Sequence, residues 1–197
     1  MPMAAPEPRS LRSGTLRFVR HGATGPNLAG LRCGGDLDVP LADAGREQAI
    51  EIAAVVAALE PPIGLIVTSD LRRTRETAAA IAARLSGVPT IVEPDFAERH
   101  LGAWNLRPIA ETQPWLDARM QPPGGESDEA FVVRVAHALR RLKPRLAERP
   151  LIVGSRGVAR VMSELVGQPR PLAVGNAELM EFRLAEMECL ATEWGSL

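Results

Sequence analysis

The chain has 197 residues, with 23 Lys and Arg against 24 Asp and Glu. That length suits one domain with a sizeable core, and the near-neutral balance excludes a global field drawing the chain to nucleic acid or an anionic membrane. Any affinity for anions must be local, and no run approaches the roughly eighteen apolar residues that a bilayer span needs.

The first fourteen residues, MPMAAPEPRSLRSG, hold three prolines and no apolar core of signal-peptide length. They are expected to form a flexible tail, with 15–197 as a single domain. TLRFVR (15–20), GLIVTS (64–69), TIVE (90–93) and LIVG (151–154) are short and nearly continuously apolar, the pattern of strands buried on both faces. Between the first two, ADAGREQAIEIAAVVAALE predicts a helix over about 43–60. LRRTRETAAAIAARL (71–85) puts Ala78, Ile81, Ala82 and Leu85 on one helical face. The run from Ser127 to about Lys143 does the same with Phe131, Val135, Ala138 and Leu142. Ser127 suits its N-cap, Asp128 and Glu129 suit the positive end of its dipole, and Pro144 should end or kink it. A short helical stretch after Gly157 leads to a fifth strand, LMEFRL (179–184). The alternation predicts an α/β three-layer sandwich, a mostly parallel central sheet flanked by helices. Residues 99–126 break the rhythm with Trp104, Trp115 and four prolines, and are expected to form a lid or pocket wall rather than a second domain.

Parallel strands end on one side of a sheet, where their loops converge and ligands bind. Four clusters fall there. FVRHGATGPN (18–27) delivers Arg20 and His21, with Gly22, Thr24 and Asn27 close behind. SDLRRTRETA (69–78) brings arginines to a strand-to-helix turn, AERHLGAW (97–104) contributes Glu98, and GSRGVAR (154–160) contributes Ser155 and Arg156. A single Arg-His pair at a strand end could equally be structural, tied to a nearby carboxylate. Arginines, a histidine and a carboxylate brought together suit phosphoryl transfer. Guanidinium forks match phosphate oxygens two at a time, a neutral imidazole can attack phosphorus, and a carboxylic acid can protonate the leaving alkoxide.

Five blocks in order, RHGATGPN (20–27), GGDLDVPLADAGREQA (34–49), SDLRRTRETA, ERHLGAW (98–104) and PPGGES (122–127), carry a resemblance over most of the chain. They resemble the histidine phosphatase superfamily, the phosphoglycerate mutase-like proteins, and the short span from Glu98 to PPGGES is nearer its small phosphatase branch. The resemblance implies that His21 is the phosphorylated histidine and that Arg20 and Arg73 hold the phosphate. Arg73 is selected by the pattern Ser-x-Leu-x-Arg, which leaves Arg72 and Arg75 as solvated helix residues. Glu98 matches the proton donor and Asn27 a residue near the phosphate, with Thr24, Ser155 and Arg156 as further phosphate-binding candidates. The implied chemistry requires no metal and no other cofactor. The implied partner is a small phosphorylated substrate or inorganic phosphate, with no nucleic acid and no membrane; a homodimer stays open.

One position departs from the family. A second histidine is expected after a late strand, within Ser- or Thr-His-Gly, and Arg156 stands there instead. Arg156 could bind phosphate with its fork, or it could fill the site or pair with Glu98 and keep it from donating a proton. His100, beside Glu98, and His137, on an amphipathic helix, are not needed by this chemistry. Cys33 and Cys189 lie far apart with no metal or redox spacing, which fits ordinary thiols in the cytoplasm. The expected function is phosphomonoester hydrolysis through phospho-His21, with reduced activity if Arg156 substitutes poorly. The alternative is a catalytically impaired protein that binds a phosphorylated ligand or partner. Phosphoglycerate mutase comes third, because the mutases carry a longer insertion after the glutamate motif.

Overall fold

In the computed structural model, which describes residues 15–168 and 174–183, five strands form one sheet. They are β1 (Thr15–Arg20), β2 (Leu65–Thr68), β3 (Thr90–Val92), β4 (Pro150–Gly154) and β5 (Leu179–Arg183). Their order is β3-β2-β4-β1-β5; the first four run parallel, and β5 closes the far side antiparallel to β1. Successive side chains of a strand point to opposite faces, so each strand feeds two cores. Phe18, Leu65, Val67 and Ile152 pack on one face with α5 (Asp128–Leu142) and α6 (Arg156–Leu165). Val19, Ile66, Leu151 and Val153 pack on the other with α2 (Asp43–Ala57) and α3 (Arg72–Arg84). This is the predicted three-layer arrangement.

Three local expectations need correction. β3 is not buried on both faces: Thr90 and Val92 are exposed, because β3 ends the sheet and pairs only with β2. α2 stops at Ala57 instead of Glu60, ahead of Pro61 and Pro62. Residues 99–126 are more regular than their sequence suggests. They hold a 3-10 turn at Gly102–Trp104 and a helix, α4 (Ile109–Asp117), with Pro114 inside it. An interior proline removes one helical hydrogen bond, and nine residues give little room for periodicity to show. The packing of Trp115 against buried Trp104, ring centroids 5.2 Å apart, holds α4 in place. The Ser127 cap is as predicted, with Ser127 Oγ accepting the Ala130 N–H at 3.0 Å. The expected tail 1–14, the last residue of the fifth strand, Leu184, and Cys189 lie outside the described residues.

The loop after β1 is seated on α2 by backbone contact closer than a side chain allows. A Cβ on Gly45 would lie 2.0 Å from the Ala23 carbonyl oxygen, and one on Gly22 would lie 2.2 Å from that of Gly45. Neither backbone can give without moving the other. Gly45→Ala is therefore expected to cost about 1–3 kcal/mol, the range for overpacking a tight interior. A thermal melt checks this, and an unchanged midpoint would show that the two segments separate freely.

Candidate active site

β1 and β4 are in register, Arg20 opposite Gly154, and the hydrogen bonding continues one residue past the strand. The His21 N–H donates to the Gly154 carbonyl at 2.9 Å, and the His21 carbonyl accepts from the Ala177 N–H at 3.2 Å and from Asn176 Nδ2 at 3.1 Å. With its backbone fixed on both sides, His21 is 4% exposed. Its Nδ1 lies 2.7 Å from the Gly22 carbonyl, which can only accept, so Nδ1 carries the hydrogen and Nε2 keeps the lone pair. Burial pushes the imidazole well below its ordinary 6.5, and the charges of Arg73 and Arg20 push it further. His21 is a neutral imidazole.

Arg20 donates from Nη1 to the Val174 carbonyl, and its buried Nε has no partner. Burial and the charge of Arg156 press its pKa down to about 10. Arg73, on the first turn of α3, is completely buried and held by carbonyls, Nη1 to Leu37 at 2.9 Å and Nη2 to Gly34 at 3.1 Å. Its Nε is also unpartnered. Asn27 lies in the one-turn helix α1 (Gly25–Leu28), capped by Thr24. Its Oδ1 faces the Thr24 N–H at 3.2 Å and Asn176 Nδ2 at 3.3 Å. Because a backbone N–H can only donate, the amide orientation is fixed, and the remaining NH₂ is left as a donor.

Glu98 is held at the start of α6. Its Oε2 accepts the Gly157 N–H at 2.9 Å and its Oε1 accepts the Arg99 N–H at 2.7 Å. Arg134 clamps the backbone on which Glu98 rides, donating to the carbonyls of Asp95, Ala97 and Glu98 at 2.8–2.9 Å while paired to Glu126. Of the two outcomes open for Arg156, the pairing with Glu98 does not form. Backbone N–H groups occupy both carboxylate oxygens, and Arg156 makes no ion pair among the described residues.

A cleft of about 120 Å³ gathers Arg20, His21, Asn27, Glu98 and Arg156. Thr24, Arg73 and Ser155 do not line it: Thr24 caps α1, Arg73 is turned to carbonyls, and Ser155 is buried with an unpartnered Oγ. His100 and His137 are exposed and outside the lining, and Arg72 and Arg75 are solvent-facing as expected. Cys33 lines the cleft as a free thiol, pushed up by burial.

Sequence reasoning misses Arg32, Arg99, Arg160 and Asp128, all in the lining. Asp128, read as a complement to the helix dipole, also collects Arg160 at 2.6 Å, Arg119 at 3.0 Å and Arg99 at 3.4 Å. The only available signal is adjacency, since Arg99 follows Glu98 and Asp128 follows the capping Ser127. Among the described residues no three His, Cys, Asp or Glu side chains gather to hold a metal ion.

A cleft with a neutral imidazole, a carboxyl group and arginines that face no carboxylate is chemically suited to take up a phosphoryl group, and it lies at the carboxyl edge of a parallel sheet as in other ligand-binding α/β proteins. Comparison with known proteins narrows this class. Residues 16–196 match the histidine phosphatase superfamily (branch 1), and the chain belongs to that superfamily. It is 36% identical over 177 residues to glucosyl-3-phosphoglycerate phosphatase of Mycolicibacterium vanbaalenii, covering 81% of this chain and 77% of the relative. It is 34% identical over 194 residues to a probable phosphoglycerate mutase of Photorhabdus laumondii subsp. laumondii, covering 90% and 88%. The solved structure of a mycobacterial glucosyl-3-phosphoglycerate phosphatase with VO3 superimposes with a TM-score of 0.72 at 28% identity, over 85% of this chain and 90% of the other. By class the chain is a phosphoric monoester hydrolase of mutase-like fold.

Proposed function

We propose that the chain hydrolyses small phosphomonoesters through a phosphoryl group carried on His21 Nε2. The observation that carries this reading is the tautomer: a buried, neutral His21 with its hydrogen on Nδ1 and its lone pair on Nε2. The ester phosphate lies against Arg20 and the Asn27 amide, in the field of buried Arg73. Arg156, where the family has its second histidine, adds a guanidinium fork. Nε2 attacks phosphorus in line with the ester oxygen, the phosphorus–oxygen bond breaks, and protonated Glu98 gives its proton to the leaving oxygen. That proton arrives on the ester monoanion. In the second half, Glu98 carboxylate takes a proton from water, the hydroxide attacks phosphorus, and the phosphorus–nitrogen bond breaks. Inorganic phosphate leaves with the proton held on Glu98, so His21 is again neutral and Glu98 again a carboxylate. We further read Ser155 and Thr24 as supports for the loops that bind phosphate, the protein as cytoplasmic, and a homodimer as compatible with the fold.

Arg156 also favours a second reading, a binder of phosphorylated ligands with little turnover. Phosphate release from para-nitrophenyl phosphate, with and without Arg156→His, separates the two. Turnover by the natural sequence, together with an acid-labile phosphoryl group on His21, is the expected result. No turnover in the natural sequence but turnover in Arg156→His would establish the binder. A mutase would instead return the phosphoryl group to its bound acid and release little phosphate.

A further inference from the structure

The parallel strands bring their carboxyl ends to the cleft. β5 runs antiparallel to β1, so it is the start of β5 that lies there, with Leu179 opposite Val19. The turn leading into it, residues 174–178, touches Arg20, His21 and Asn27. The Val174 carbonyl accepts from Arg20 Nη1, and the Glu178 carbonyl accepts the Arg20 N–H at 3.1 Å. The Ala177 N–H donates to the His21 carbonyl at 3.2 Å. Asn176, half-buried between them, reaches two residues at once. Its Nδ2 donates to the His21 carbonyl at 3.1 Å and to Asn27 Oδ1 at 3.3 Å. Ala177 holds a φ of 55°, in the left-handed region that alanine rarely adopts. Such a backbone persists where its surroundings over-determine it, and here the bonds to His21 do so.

The polarity of these bonds runs one way. The Thr24 N–H can only donate, so the Asn27 atom 3.2 Å from it is oxygen. That oxygen and the His21 carbonyl both accept, so the Asn176 atom between them is its NH₂, with both hydrogens spent. Turning the Asn27 amide over would set its NH₂ against two donors, the Thr24 N–H and the Asn176 amide. Held by Thr24 alone, the amide would have one bond to give up; held by both, it has two. Its own NH₂ is therefore left for the cleft that Asn27 lines beside Arg20 and His21. Asn176 is not in that lining, so it acts through Asn27 and the His21 backbone.

We propose that Asn176 is a positioning residue: by holding Asn27 Oδ1 and the His21 carbonyl together, it keeps the Asn27 NH₂ aimed at a phosphoryl group beside His21. This rests on the phosphate site of the reading above. The test is the Kd of inorganic phosphate, measured by calorimetry on the full chain and on a cycle of variants, with para-nitrophenyl phosphate turnover followed alongside. Asn176→Asp nearly keeps the shape of asparagine but has no donor, so Asn27 turns its NH₂ to the new carboxylate and its oxygen to the phosphate. Kd is expected to rise about 10- to 100-fold, the worth of a hydrogen bond to a charged group. The new negative charge also opposes phosphate whatever Asn27 does. In an Asn27→Ala background only that charge effect remains, and the same change should raise Kd far less. Asn176→Ala removes the donor without adding charge. It should raise Kd by a smaller factor, again only while Asn27 is present, and it carries the cycle if a thermal melt shows Asn176→Asp to be poorly folded. The Asn27 side-chain NH₂ resonances should move when phosphate is added to the natural sequence and stay still in Asn176→Asp. Equal factors with and without Asn27 would mean that Asn176 serves only charge or fold, and the proposal falls. Coupled binding without turnover supports Asn176 and counts against hydrolysis, whereas turnover with equal factors does the reverse. Failure of the natural sequence to bind phosphate removes the site and the role of Asn176 with it.

Discussion

Phosphate release is expected to fall by about 10⁴- to 10⁶-fold in His21→Ala, the scale on which covalent enzymes lose turnover with their nucleophile. Alanine cannot form the phosphorus–nitrogen bond, and the arginines that remain only bind. The variant also reports on protonation. Burial and the Arg73 and Arg20 charges hold the His21 pKa below its ordinary 6.5, so the folded protein keeps the imidazole neutral where the unfolded chain takes a proton. As pH falls below 6.5, the unfolded state binds more protons than the folded state, and stability is lost. Above 6.5 both states are neutral at this position and the contribution is fully present. Denaturation of both proteins between pH 5 and 8 should therefore show a shallower acid decline in His21→Ala. Parallel curves would mean that His21 takes up its proton in the folded state, and the neutral nucleophile would have to be abandoned.

A second large loss is expected from a residue with no side chain. A Cβ on Gly157 would stand 2.0 Å from Glu98 Oε1, so Gly157→Ala must push the carboxyl group aside. The clash is with the end of a side chain, and alanine is a good helix former, so the fold tolerates the change. The chemistry does not. General acid catalysis is worth about 10²- to 10⁴-fold, and kcat should drop within that range for an alkyl phosphate, whose leaving oxygen needs the proton. Para-nitrophenyl phosphate expels para-nitrophenolate, a stable anion that needs no proton, and should lose much less. Equal losses on the two substrates, at an unchanged thermal midpoint, would remove Glu98 from the role of acid.

The sequence makes the strand ends legible because parallel topology forces them together. Arg20, His21, Asn27, Glu98 and Arg156 line one cleft on that ground. Being near a strand end does not set where a side chain points, which is why Arg73 and Thr24 turn to carbonyls and a helix cap and Ser155 is buried with its Oγ unpartnered. Arg32 and Asp128 are hidden for a different reason. Their partners lie 80 and 32 residues away, at Thr112 and Arg160, and no local pattern records such a pairing. α4 escapes because Pro114 argues against a helix while tertiary contacts supply one. β3 reads as buried because three apolar-leaning residues cannot show whether a second neighbour will pair with them.

The packing of Trp104 on Trp115 has a practical consequence. The chain has three tryptophans and no tyrosine, so its near-ultraviolet absorption and intrinsic fluorescence come almost wholly from indole. Two of the three indoles sit in or beside α4, and Arg107 stacks on Trp115 at 5.2 Å. The same helix carries Thr112 and Gln113, which grip Arg32. The protein thus has an optical probe built in next to its cleft, and ligand entry that shifts α4 can be followed in real time without a label.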